Sequence, residues 1–157
     1  MSPEPRTLVA ACNLVVSTDA LLLVREAKHS ARSRLNLPAG KVEPGETICE
    51  AAVREALEET GLQVEILALV GIYHCPATSE GTAVVNFVFE SHVVGGAITP
   101  TDAHPEVRFV PFGEVEELAA ARRLRGTHIL SAFHALRSGR RLPLDLVEVV
   151  APSPLPD

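Results

Sequence analysis

The segment "TICEAAVREALEETG", Thr47 to Gly61, marks both of its own boundaries, and so constrains the chain more than any other stretch. The Thr47 hydroxyl can cap a free backbone N–H, and Glu50 can reach back to the N–H of Thr47. Gly61 stands where a left-handed residue ends a helix, a conformation that is easiest without a Cβ. The spacing predicts a helix from about Thr47 to Thr60. At about 100° per residue, Cys49, Ala52, Val53, Ala56, Leu57 and Thr60 fall on one stripe, the face expected to pack on a sheet. Glu55, Glu58 and Glu59 share another sector.

That acidic sector admits two readings. Exposed like charges at these spacings repel by about 0.2–0.5 kcal/mol per pair, and water and salt can screen them. A divalent cation is the other compensator, because hard cations such as Mg2+ prefer carboxylate oxygens. The helix by itself leaves both readings open.

On either side the chain reads as strands. "TLVAACNLVVS" and "TDALLLVRE" are apolar, β-branched runs joined by a polar turn at Ser17 to Asp19, which predicts a hairpin. A basic loop follows, with Lys28, His29, Arg32 and Arg34, and "LPAGKVEPGE" then alternates turn formers with short extended pieces. Beyond the helix, "VEILALVGIYHC", "TAVVNFVFESHVV" and "EVRFVPF" are further strands, and Gly95 and Gly96 are expected to turn the chain. "GEVEELAAARRL" and "THILSAFHALRSG" start helices, the second stopping near Gly139. Strands mixed with a few helices imply an α/β or α+β layered fold. No repeat or linker divides residues 1–150, and the proline-rich 151–157 is read as a flexible tail.

A chain of 157 residues supports one core, and its net charge of −6 argues against general affinity for nucleic acid. Cys12, Cys49 and Cys75 lack metal-ligand spacing and suit a reducing compartment. The N-terminus lacks the pattern of a signal peptide, and no run is long and apolar enough for a membrane span. A cytoplasmic location, with neither membrane nor nucleic acid as partner, is the expectation.

From Gly40 the sequence runs "GKVEPGETICEAAVREALEETGL", with Glu46 and then Arg54, Glu55, Glu58, Glu59 and Gly61. This resembles the signature of the Nudix (MutT-like) hydrolases at every fixed position over residues 40–62. The resemblance implies an α/β/α sandwich around a mixed sheet. It implies hydrolysis of a diphosphate linkage in a small phosphorylated substrate, typically a nucleotide, by an activated water with Mg2+ or Mn2+. It assigns Glu58 and Glu59 as metal ligands, Glu55 as ligand or general base, the Gly40 carbonyl as a further ligand, and Arg54 as the residue that orients Glu55. Glu46 would hold the loop or a bound water, and Arg25, Lys28 and Arg34 are the basic groups expected to meet the substrate. Nudix relatives are often dimers, and a homodimer is compatible with this reading.

Family members often add an acid beyond the signature. Here Glu106, just before Arg108 and Phe109, is the favoured catalytic acid, with Asp102 as the alternative and His104 read as a surface histidine. Leu35 stands where relatives frequently carry tryptophan, which leaves Tyr73, Phe87, Phe89 and Phe109 as aromatics that could stack a base, although strand aromatics are more often core. "NLPAG" and the C-terminal "LRGTHILSAFHALRSGRRLPLDLVE" are similar to a bacterial subgroup with phosphatase activity on nucleoside tri- and diphosphates and thiamine-precursor pyrophosphates. Arg140 and Arg141 are read as solvated. An ADP-ribose or nucleotide-sugar pyrophosphatase is the alternative enzyme, and a non-catalytic nucleotide sensor the alternative of another class.

Overall fold

The structure is a computed structural model that describes residues 6–28, 34–76 and 81–152. His29, Arg32 and residues 153–157 of the tail lie outside the described residues. In chain order the elements are β1 (Arg6–Ser17), β2 (Ala20–Arg25), β3 (Leu35–Asn36), β4 (Ala39–Lys41), α1 (Ile48–Thr60), β5 (Leu62–Cys75), β6 (Thr82–Gly96), β7 (Glu106–Pro111), α2 (Phe112–Ala120) and α3 (Thr127–Arg137). A 3-10 turn follows at Leu144–Leu146.

The strands form one mixed sheet in the order β3-β2-β1-β6-β5, with β4 also paired to β1 and β7 to β2. β1 and β6 run parallel, and the remaining pairs run antiparallel. The expected hairpin is present, with Ser17 opposite Ala20 and Thr18 at φ 49° in its turn.

Alternation along the strands builds two apolar faces. Leu14, Leu21, Leu23 and Val88 point to Val115, Leu118, Ile129 and Phe133 of α2 and α3. Val15, Leu22, Val24, Ala11 and Phe89 point the other way, toward Ala51, Ala52 and Ala56 of α1. Burying each large side chain contributes about 1.5–3 kcal/mol, so each face holds its helices firmly. The result is the α/β/α sandwich. No helix among the described residues is long and apolar enough to cross a membrane.

Three expectations are corrected. The buried face of α1 is Ala51, Ala52, Ala56, Glu59 and Thr60, while Val53 and Leu57 stand 38% and 47% exposed. Small alanines let the helix sit close on the sheet, where Asn13 Nδ2 donates to Ala52 O at 2.8 Å, and that seating turns Glu59 inward. Gly95 still pairs within β6, opposite Gln63, so the chain leaves the strand one residue later than expected, at Gly96, the last residue of β6, with φ 79°. Arg141 is not simply solvated, because it holds the buried Glu90 at 2.7 Å. The nearby Leu142 exchanges backbone hydrogen bonds with Leu69, which anchors the chain beyond α3 to β5.

Candidate active site

The loop after β4 enters α1 through the cap read from sequence. Thr47 Oγ1 accepts from Glu50 N at 3.1 Å, and Glu50 Oε2 accepts from Thr47 N at 2.8 Å. At the other end Gly61, φ 77°, donates to Leu57 O at 2.9 Å. Both ends are fixed, so the acids of α1 hold a set register against β4.

Arg54 is the centre of that register. Its Nε and Nη2 donate to the two oxygens of Glu46 at 2.9 and 2.7 Å, and Nη2 also donates to Lys41 O at 3.1 Å. Nη1 donates to Glu55 Oε1 at 2.7 Å and to Glu58 Oε2 at 3.2 Å. One guanidinium therefore ties the loop and two helix acids together. The Arg54 hydrogen bonds, with the Glu43 N–H, hold the Glu46 carboxyl down at about 2.

Glu59 has a different environment. Its side chain is 7% exposed, Ala39 N donates to Oε2 at a long 3.4 Å, and His104 Nε2 lies 3.8 Å from Oε1. Burial first, and then the charge of Glu55, push its pKa well above the usual carboxylate range. Gly40 packs against this group: a Cβ there would run into the Glu55 carboxylate, which would have to shift from its present position.

These residues open onto a cleft of about 480 Å³ walled by Glu26, Lys28, Gly40, Lys41, Glu55, Glu59 and His104. The divalent cation implied by the resemblance fits this donor set. Two neighbouring carboxylates, one buried and resisting ionisation, form an all-oxygen group of excess negative charge. Among the described residues no three acidic, His or Cys side chains are already gathered at one point, because Glu58 turns to Arg54.

The other expected site residues divide between locations. Lys28 lines the cleft, as does Gly40. Glu106 and Arg25 do not: Arg25 Nε donates to Glu106 Oε2 at 3.0 Å, and Arg108 Nε to Glu106 Oε1 at 3.0 Å. Arg34 lines a separate cavity beside the loop between α2 and α3. Asp102 is exposed outside the cleft. Leu35 is 1% exposed in the core, Phe89 is fully buried, and Tyr73, Phe87 and Phe109 pack against core clusters. Glu26, Lys41 and His104 in the cleft were missed or discounted. Glu26 directly follows β2, and only the sheet register, with Arg25 opposite both Leu35 and Glu106, shows where it lands.

The family model described as "NUDIX domain" matches residues 5–130. The chain is 33% identical over 111 residues to the ADP-ribose pyrophosphatase of Methanocaldococcus jannaschii, covering 71% of this chain and 66% of the relative. It is 29% identical to phosphatase NudJ of Escherichia coli, covering 92% and 91% of the two chains. A solved NUDIX hydrolase from Nitrosomonas europaea superposes with a TM-score of 0.84 at 30% identity, covering 92% of this chain and 97% of that one. The chain spans as little as 26% of the length of another curated relative it matches. The chain belongs to the Nudix hydrolase family.

Proposed function

We propose that this enzyme hydrolyses a phosphoanhydride bond in a nucleoside tri- or diphosphate, or a related small pyrophosphate, with Mg2+ or Mn2+. The observation that carries the reading is the Arg54-gripped acid group beside the buried Glu59 and Gly40, opening onto a cleft with Lys28 and Lys41 on its walls. Glu58, Glu59 and the Gly40 carbonyl would hold the cation, with Glu58 leaving Arg54 to do so. When bound, such an ion neutralises phosphate charge and lowers the pKa of water.

The chain's own residues do the rest. Arg54 holds Glu55 through Oε1, and Glu55, which lines the cleft, would take the proton of the attacking water. Glu46, held by Arg54 and by Glu43 N at 2.7 Å, keeps that guanidinium from swinging away. Lys28 and Lys41 offset the charge of the phosphate oxygens. Glu55 is favoured over Glu106 as the base because Glu106 is already shared between two arginines outside the cleft.

The similarity to NudJ along nearly its whole length supports the phosphatase type. A second reading, cleavage of ADP-ribose or a nucleotide sugar, is favoured by the similarity to the Methanocaldococcus relative. Incubation with nucleoside tri- and diphosphates, ADP-ribose and nucleotide sugars, with and without Mg2+, decides between them by product. Orthophosphate supports the first, and a nucleoside monophosphate plus a phosphorylated remainder supports the second. No metal-dependent turnover on any of them sinks both and favours the nucleotide sensor.

A further inference from the structure

Three cavities lie in a row along this side of the molecule. The acid cleft shares Glu26, Ala39, Gly40 and Lys41 with a second cavity of about 210 Å³. The second shares Arg125 with a third, of about 380 Å³, walled by Arg34, Arg122, Arg125 and apolar residues such as Leu124 and Leu130. Among the described residues no carboxylate lines this third cavity.

That composition departs from the rest of the chain, which has 20 Asp and Glu against 14 Lys and Arg. Arg25, Arg54, Arg108 and Arg141 each hold a glutamate, and Arg125 lies 4.0 Å from Glu26. Arg34 and Arg122 have no ion pair among the described residues. The wall that carries them is stitched in place: Leu35 N donates to Arg123 O, and Arg125 N donates to Leu35 O, both at 2.8 Å. Arg122 itself stands at φ 56°, the left-handed conformation that glycine usually takes after a helix, so a long cationic side chain occupies a position where none is the easier choice. Arg34 and Arg122 are exposed on the wall of this cavity, and a phosphate seated there would accept charge-assisted hydrogen bonds from both guanidinium groups.

We infer that this third cavity binds a phosphate group. The row of cavities fits a phosphate carried by the substrate itself, at the end remote from the scissile diphosphate, and free inorganic phosphate has the same chemistry. The substrate form of the inference rests on the reading that the acid cleft takes a nucleotide diphosphate.

Calorimetric titration with AMP, adenosine 2′,5′-bisphosphate, adenosine 3′,5′-bisphosphate and inorganic phosphate tests it on wild type, Arg122→Gln and Arg122→Glu. The expected result is that one bisphosphate binds about tenfold tighter than AMP, the size of one charge-assisted contact, and that the difference collapses in both variants. Inorganic phosphate binding that depends on Arg122, with neither bisphosphate favoured over AMP, supports the site and assigns it to the free anion. Phosphate and bisphosphates that bind wild type and variants alike, or not at all, overturn the inference. Turnover on the substrate panel is a separate readout. Activity without any Arg122 effect leaves the hydrolase reading standing alone, and Arg122-dependent phosphate binding without turnover leaves only this one.

Discussion

Two clusters of glutamate and arginine differ in their charge balance. Around Arg54 one cation faces Glu46, Glu55 and Glu58, with the buried Glu59 alongside. On β7 and its neighbours, Arg25 and Arg108 face Glu106 and Glu114, two against two. Partial burial pushes the Glu106 carboxyl up, but its two arginines outweigh that and hold it below the usual range. The balanced cluster is complete as it stands. The unbalanced one has carboxylate oxygens left over next to a cleft, which is the condition a cation can satisfy.

The largest expected contrast is in catalysis. Glu58→Gln or Glu59→Gln should lower kcat by about 10²- to 10³-fold with the fold retained, a loss typical of removing one group that stabilises developing charge. Glu106→Gln should stay within about twofold of wild type, in line with a partly exposed ion pair outside the cleft. A Glu106 variant as inactive as the Glu58 variant would move the base to the other cluster.

Next comes positioning. Arg54→Lys cannot reproduce the two-pronged grip on Glu46, and should cost about 10–100-fold in kcat, the range seen when groups that orient ligands are lost. Arg108→Lys should leave kcat unchanged. Equal effects of the two substitutions would erase the distinction drawn between the clusters.

Stability is expected to move oppositely in the metal-free and metal-loaded protein. The folded pKa of Glu59 is raised to about 9, so its contribution is fully present below about pH 4.5 and is lost progressively as pH rises from there toward 9. Glu59→Gln should therefore raise the Tm of the metal-free protein at pH 7.5 by about 4 °C, and flatten its fall with pH. Mg2+ should raise the Tm of wild type and not of the variant. A variant that melts below wild type without metal would show that Glu59 is not strained by burial.

The smallest effect belongs to the balanced cluster. Glu106→Gln should lower stability by about 0–1 kcal/mol, with the loss shrinking as salt is added, as measured by denaturant titration. A larger, salt-independent loss would mean that β7 depends on this pairing.

Local features were legible. Thr47, Glu50 and Gly61 act within a few residues of themselves, so both ends of α1 could be read without tertiary information. The β1–β2 hairpin was legible for the same reason. The rotation of α1 was not. Hydrophobicity alone favours turning Val53 and Leu57 inward, whereas close seating of the alanines and the approach of Gly40 to Glu55 turn the acid face toward β4. The candidate site divides along the same line. Gly40, Glu46, Arg54, Glu55, Glu58 and Glu59 stood out as a motif, while Glu26 and His104 reach the cleft from segments far away in sequence. Glu106 is favoured in the sequence by its resemblance to the family's acid before an Arg-aromatic pair, and that local pattern does not reveal that β2 and β7 pair and set Arg25 and Arg108 on it.

The sequence by itself determined the capped acidic helix, the strands around it and the family, since these depend on short-range hydrogen bonding, periodicity and the spacing of a few residue types. Only the tertiary structure decided which acids are satisfied and which are left over. Strand register set Glu106 between two arginines, and the seating of α1 put Glu59 into a poorly solvated corner beside Glu55. A carboxylate's charge state depends on distance and dielectric surroundings, and both are properties of the assembled fold.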